Sequence, residues 1–229
     1  MSGAGDIRFV GVAKSYGETV ALAGADLMIT SGESVAVMGP SGSGKTTLAL
    51  AAAGIVQPDA GQVWVGSQEL TGMSERARTE FRLRMIGLVF QAGHLMGDLT
   101  AEENIALPLM FAGQSRRKAV GEARQWLEPL GLGGLGARRP GQLSGGQAQR
   151  VAIARAMVVR PPVLIADEPT GALDQETGVS VMEMLRQMCG SIGATLLVVT
   201  HDVGVAGRLA RRIDVVDGRI VADRQAATS

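Results

Sequence analysis

Three short stretches of this 229-residue chain carry side chains suited to phosphate and water chemistry. The first is Gly39-Pro40-Ser41-Gly42-Ser43-Gly44-Lys45-Thr46, which fits the pattern G-x-x-x-x-G-K-[ST]. It lies between an apolar strand candidate, Ser34–Met38, and an apolar helix reaching to about Val56. Glycines at these positions let backbone N–H groups converge on phosphate oxygens. The helix N-terminus behind them adds a partial positive charge. Lys45 brings a point charge to the β- and γ-phosphates, and Thr46 offers a hydroxyl to Mg²⁺. A glycine-rich loop without a ligand is the bland alternative, and the flanking strand and helix count against it.

The second stretch is Val163-Leu164-Ile165-Ala166-Asp167-Glu168. Four apolar residues bury a strand, and two carboxylates emerge at its C-terminal end, where parallel sheets bind ligands. Asp167 is placed to hold the metal shell and Glu168 to polarise an attacking water. The third stretch is Leu143-Ser144-Gly145-Gly146-Gln147, followed by Ala148-Gln149-Arg150. A bare Gly-Gly backbone and a Ser hydroxyl at a helix start suit an anion. Alone, this stretch would be an ordinary helix start capped by Ser144.

Positioning these residues requires strands alternating with helices. Strands are predicted at Ile7–Val12, Ala25–Thr30, Ser34–Met38, Gln62–Val65, Ile86–Phe90, Val163–Ala166 and Thr195–Val199. Lys14-Ser15-Tyr16-Gly17 reads as a turn. Helices are expected near Ser74–Arg84, in two pieces between Thr100 and Leu130 broken near Gly113, from Gly145 to about Val159, over Gln175–Met188, and near Val203–Ala210. Asp217-Gly218 between Ile213–Val216 and Arg219–Val221 marks a β-hairpin. This order implies an α/β fold with a mainly parallel sheet and a helical lobe inserted between Phe90 and Ser144.

Composition narrows the class. The 22 basic and 22 acidic residues cancel, which argues against a nucleic-acid binder. One cysteine, Cys189, allows no internal disulfide and no four-cysteine metal site. Met1–Asp6 is small and polar with no apolar segment after it, so no secretory leader is expected, and no apolar run is long enough to cross a membrane. Any membrane role must come through a partner.

In order along the chain, the three stretches resemble the Walker A, signature and Walker B segments of ABC ATPases, and the resemblance covers almost the whole sequence. It implies a P-loop NTPase (RecA-like) core, residues 1–91 and 144–229, with an N-terminal antiparallel β subdomain, and a helical subdomain at 92–143. It implies ATP and Mg²⁺ as ligands. Contacts to nucleotide would come from Tyr16 (stacking on adenine), Gly39, Pro40, Ser41, Gly42, Ser43, Gly44, Lys45, Thr46, Thr47, Ser144, Gly145, Gly146, Gln147 and the D-loop residue Asp174. Gln91 matches the Q-loop glutamine that joins the metal and water site to the lobe, and His201 the switch histidine that meets the γ-phosphate. Catalysis would rest on Glu168, His201, Gln91 and Lys45, and the metal on Thr46, Gln91 and Asp167.

Two departures from the family pattern stand out: Gly171 in place of Ser, and Ala148 where Gln or Lys is commoner. His94 has no family role and reads as a solvated loop residue. The resemblance further implies an ATP-dependent head-to-tail homodimer on the cytoplasmic face of the inner membrane, driving a transmembrane permease on a separate chain. The stretches Ile86–Gln91, Leu99–Leu109 and Ala166–Asp174 are most similar to lipoprotein-releasing and macrolide-exporter ATPases, which implies export or membrane extraction of an amphiphile. A division-type ABC ATPase, regulating cell-wall hydrolases through a membrane partner, is the alternative. The coupling surface is expected near Gln91–Leu99 and the helix from Thr100, with Glu102 and Glu103 in its first turn.

Overall fold

A computed structural model describes residues 3–91 and 93–225; the first residue expected of the helical subdomain, Ala92, lies outside them. The chain forms two sheets. The smaller is antiparallel, in the order β2-β1-β4-β5, from β1 (Ile7–Tyr16), β2 (Thr19–Ile29), β4 (Ala60–Val65) and β5 (Gln68–Glu69). The larger has six strands in the order β10-β9-β3-β8-β7-β6. These are β3 (Ser34–Met38), β6 (Ile86–Phe90), β7 (Val163–Asp167), β8 (Thr195–Val199), β9 (Arg211–Val216) and β10 (Arg219–Gln225). Only β10 runs antiparallel to its neighbour.

The period-2 alternation of strand side chains sorts the central sheet into two cores. Val163, Ile165, Leu197 and Val199 pack with the antiparallel sheet and with helix α1 (Lys45–Ala52). Leu164, Ala166, Leu196 and Val198 face the opposite layer, α5 (Gly145–Met157) and α6 (Gln175–Ile192). Burial on both faces explains why β7 and β8 are nearly continuous apolar runs. The remaining helices are α2 (Glu75–Met85), α3 (Ala101–Phe111), α4 (Arg116–Arg124) and the single turn α7 (Val203–Ala206).

A third apolar cluster joins α3 and α4 to α5 through Ile105, Ala119, Ala123, Val151 and Ala154. Helix α5 therefore packs on the sheet with Ile153 and Met157 and on the lobe with Val151 and Ala154.

Several expected bounds shift, among them the start of β2, at Thr19 rather than Ala25, and the end of α4, at Arg124 rather than Leu130. Lys14–Tyr16 is strand rather than turn; the reversal falls at Gly17-Glu18, between the paired residues Tyr16 and Thr19. Asp59 holds the strand there, accepting from Lys14 Nζ and from the Ser15 N–H, both at 2.7 Å. Helix α1 stops at Ala52 because Gly54 takes a left-handed φ of 64°. Helix α6 runs on past Met188 to Ile192 and closes on Gly193 at φ 68°. Helix α7 ends at Ala206, short of the expected Ala210.

Cys189 lies in the core between α6 and the sheet, and burial pushes its thiol pKa up to about 12. With so little thiolate at neutral pH it should be inert. Iodoacetamide labelling followed by mass should run at least about tenfold slower on native than on urea-unfolded protein; equal rates would place Cys189 outside the core.

Candidate nucleotide site

The site is built on the C-terminal ends of four adjacent parallel strands. In the sheet β3 neighbours β8, β8 neighbours β7, and β7 neighbours β6. Their register pairs Val37 with Val199, Val199 with Asp167, and Asp167 with Phe90. The segments after these residues carry Gly39–Thr46, Glu168, Thr200-His201 and Gln91, so one edge of the sheet collects residues from four parts of the sequence.

The loop after β3 uses its glycines in different ways. A Cβ on Gly39 would lie 2.0 Å from the Val215 carbonyl oxygen, and one on Gly44 (φ 100°) 2.0 Å from that of Ala21. Gly42, at φ 77°, has nothing within 4 Å of its Cβ position. Two glycines are thus demanded by neighbouring backbone, and the third leaves open space over the loop. Ser41, Gly42 and Thr46 are exposed, while Ser43 is buried with an unpartnered hydroxyl. Lys45 is buried, and its Nζ donates to the Pro40 carbonyl at 2.7 Å. The loop is wound around its own cation.

Beside it, the Thr46 hydroxyl donates to Asp167 Oδ1 at 3.4 Å. Burial raises the Asp167 pKa above the usual carboxylate value; Thr46 and Lys45 pull it back, and the Glu168 charge pushes it further up. Glu168 has φ 47°, a left-handed conformation that is uncommon for a side-chain-bearing residue and concentrates at functional sites. Its N–H donates to the Val199 carbonyl at 2.9 Å. Its Oε1 accepts from the His201 N–H at 3.1 Å and lies 2.7 Å from His201 Nδ1. Gln91 is exposed, and its side chain lies over Gly171: a Cβ there would be 2.7 Å from Gln91 Nε2. The bare Gly171 is therefore where the Gln91 amide rests.

Ser144–Gln147 opens α5 with a reciprocal cap. Ser144 Oγ accepts from the Gln147 N–H at 3.3 Å, and Gln147 Oε1 from the Ser144 N–H at 2.9 Å. A Cβ on Gly146 would meet Thr177 Cγ2 at 2.6 Å. Asp174 caps α6 through the N–H of that same Thr177, at 2.9 Å. Among the described residues, no hydrogen bond joins Ser144–Gln147 to Gly39–Thr47. Tyr16 is 51% exposed at the end of β1, with Lys14 Nζ 5.6 Å from its ring centre, so it is not a core aromatic.

His94 is exposed, its ring 5.1 Å from that of Phe90. Glu102 takes a two-pronged bond from Arg124 at 2.8 and 2.9 Å, and Glu103 caps α3 and pairs with Arg116. Both carboxylates tie α3 to α4, and Glu103 also caps the helix start. Sequence reasoning passed over three polar side chains: Asn104, Gln149 and Arg155. Gln149 shares the apolar face of Ala152, Ile153 and Ala156 at helical spacing, a signal available in the sequence. Asn104, fully buried in α3, binds Met96, Leu99 and Thr100 through their backbone.

The donor set fits Mg²⁺ carried in with a nucleotide. No cluster of three or more His, Cys, Asp or Glu among the described residues could hold a metal alone. A hydroxyl and a carboxylate, Thr46 and Asp167, do converge, and Mg²⁺ is usually bound by one or two such groups plus substrate phosphates.

Comparison with known proteins agrees with this geometry. The family profile described as ABC transporter matches residues 22–171. The chain is 44% identical over 208 residues to the lipoprotein-releasing system ATP-binding protein LolD 2 of Caulobacter vibrioides, covering 91% of each chain. It is 43% identical to LolD of Granulibacter bethesdensis, over 94% of this chain and 96% of that one. It is also 40% identical to the methionine import ATP-binding protein MetN of Brucella abortus, spanning 57% of that longer protein. The dimeric post-hydrolysis ATP-binding cassette MJ0796, bound to ADP and Pi, superposes with a TM-score of 0.89 at 37% identity, over 97% of this chain and all of that one. The chain belongs to the ABC transporter family, as an ATP-hydrolysing, ATP-binding subunit of the branch that holds the lipoprotein-releasing ATPases.

Proposed function

We propose that this subunit hydrolyses MgATP to drive export, or extraction from the membrane, of an amphiphilic substrate through a separate permease. The observation that carries the hydrolytic part is the left-handed Glu168, held by Val199 and His201 beside Asp167 and the phosphate loop. In this reading Gly39–Thr47 cradles the phosphates and Lys45 leaves the Pro40 carbonyl for them. Thr46, Asp167 and Gln91 hold Mg²⁺, which screens phosphate charge when bound. Glu168 accepts the proton of the attacking water, and His201 turns from Glu168 to the γ-phosphate. Asp174 sets the start of α6 against Gly146.

Ser144–Gln147 makes no hydrogen bond to its own phosphate loop, which supports a head-to-tail dimer in which it meets the partner's ATP. The MJ0796 cassettes are dimeric, which supports a dimer of this subunit. ATP then closes the dimer by its differential affinity for the closed state. The relatives reported favour transport over the division-type alternative.

The permease would dock on an apolar groove of about 780 Å³ lined by Leu83, Met96, Leu99, Leu107, Pro108 and Phe111. Phe111 is 71% and Met96 56% exposed there, more than an isolated monomer needs to leave in water. Among the described residues no helix is long and apolar enough to cross a membrane. Docked through this groove, the subunit would lie at the cytoplasmic face of the permease's membrane.

The test is ATPase measurement with and without the co-purified permease in detergent or lipid. An amphiphilic cargo should stimulate hydrolysis only in the complex and show no affinity for the subunit alone; specific cargo binding by the isolated subunit would overturn the division of labour. For the base, Tyr16→Ala should weaken ATP binding by roughly 1–3 kcal/mol, while Tyr16→Phe changes little. Calorimetric titration decides this, and equal affinity in the Ala variant would remove Tyr16 from the site.

A further inference from the structure

The loop that carries Gln91 is held by its carbonyls, and the holder is α5. Gln149, 3% exposed, donates from Nε2 to the Phe90 carbonyl at 3.2 Å. Arg155 donates to the Gly93 carbonyl at 2.7 Å and to the His94 carbonyl at 2.8 Å. Gly93 and His94 both take left-handed φ, 65° and 46°, and the bend turns two successive carbonyls toward one guanidinium fork. Among the described residues Arg155 forms no salt bridge, and burial lowers its pKa. Arg155 is part-buried at the rim of the apolar groove, and its guanidinium spends its described hydrogen bonds on two carbonyls of this one loop.

Both donors stand on the helix that begins with Ser144. Arg155 is eleven residues along it, a rise of about 16 Å. Between the two carbonyl anchors, Phe90 and Gly93, sits Gln91. We propose that Gln149 and Arg155 are positioning residues for Gln91, which lock the loop of a chain's own site to the helix whose N-terminus engages the other site of the dimer. This rests on the head-to-tail reading above. A shift of Ser144–Gln147 on meeting the partner's nucleotide would then carry Gln91 with it, because a short helix moves as one body.

The experiment uses mixed dimers in which one chain carries Glu168→Gln, so that only the other site hydrolyses in a single turnover. Arg155→Met, which keeps the aliphatic stem, is placed on either chain. On the chain with the intact Glu168 it should slow the single turnover by about tenfold or more; on the Glu168→Gln chain the change should stay within about twofold. Arg155→Lys, which reaches one carbonyl, should fall between, and Gln149→Met should act in the same direction.

In nucleotide-free protein, amide exchange of residues 93–96 should rise about tenfold in Arg155→Met while that of α5 is unchanged. Equal losses in both placements, or faster exchange of α5 itself, would make these residues mere supports of the helix and overturn the proposal, as would no loss in either placement. Ser144→Arg on each chain separates the underlying reading. On the chain opposite the intact Glu168 it should stop turnover, and on the intact chain it should cause a smaller loss, carried through that chain's own Gln91; turnover stopped only from the intact chain itself would sink the head-to-tail arrangement rather than the clamp.

Discussion

Glu168→Gln is expected to bind MgATP about as tightly as the wild type and to lose turnover by roughly 10²–10⁴-fold. The amide keeps an oxygen that can accept from the His201 N–H, so the left-handed turn and its bond to Val199 should survive. What it cannot do is take a proton from water. With hydrolysis blocked and binding intact, the nucleotide-closed dimer should accumulate. Size-exclusion chromatography in MgATP should show a dimer that ADP does not support, and a coupled phosphate assay should read the rate. Wild-type-like hydrolysis would move the base elsewhere; slow hydrolysis with no dimer would separate catalysis from closure. His201, whose Nδ1 lies 2.7 Å from the same carboxylate oxygen, is the first candidate in the former case.

The second large effect is structural in origin and splits two glycines of one loop. Gly44→Ala drives a Cβ to 2.0 Å from the Ala21 carbonyl oxygen, a backbone atom of β2 that cannot step aside cheaply. The expected cost is about 3 kcal/mol or more of stability, from the clash together with the left-handed φ of 100°. The chain should melt early and bind no ATP. Gly42→Ala meets nothing within 4 Å. Its cost to the fold should be only the left-handed penalty, about 1–2 kcal/mol. Its methyl would project into the space where phosphate oxygens are expected, so it should lose ATP affinity while staying folded. Thermal melts and ATP titration on both variants measure this. Gly42→Ala with unchanged affinity would mean that the open side of the loop does not face the nucleotide.

The strands and helices that build the site were legible for local reasons. β8 was readable end to end because it is apolar on both faces, and β7 for the same reason up to Asp167. The start of α5 was readable because its cap is made by two residues three apart. Where expectations slipped, a distant partner or one glycine intervened. Lys14–Tyr16 looked like a turn, and Asp59, more than forty residues on, holds it as strand. The end of α1 moved because Gly54 turned left-handed.

The site divides along the same line. Sequence alone determined the donor types and their chain order, from Lys45 and Thr46 through Asp167 and Glu168 to His201, because each lies beside a strand or helix whose pattern is local. Only tertiary structure decided which of them meet. The strand order β3-β8-β7-β6 brings Glu168 to His201 and Thr46 to Asp167, and no periodicity encodes that order. Tertiary structure also separated Gly39 and Gly44, which other backbone crowds, from Gly42, whose Cβ position meets nothing within 4 Å. It paired Glu102 with Arg124 and Glu103 with Arg116, ties between α3 and α4 that the sequence did not show. It gave Gln149 and Arg155 a task as well, since a side chain that binds backbone carbonyls recognises a shape rather than a residue type.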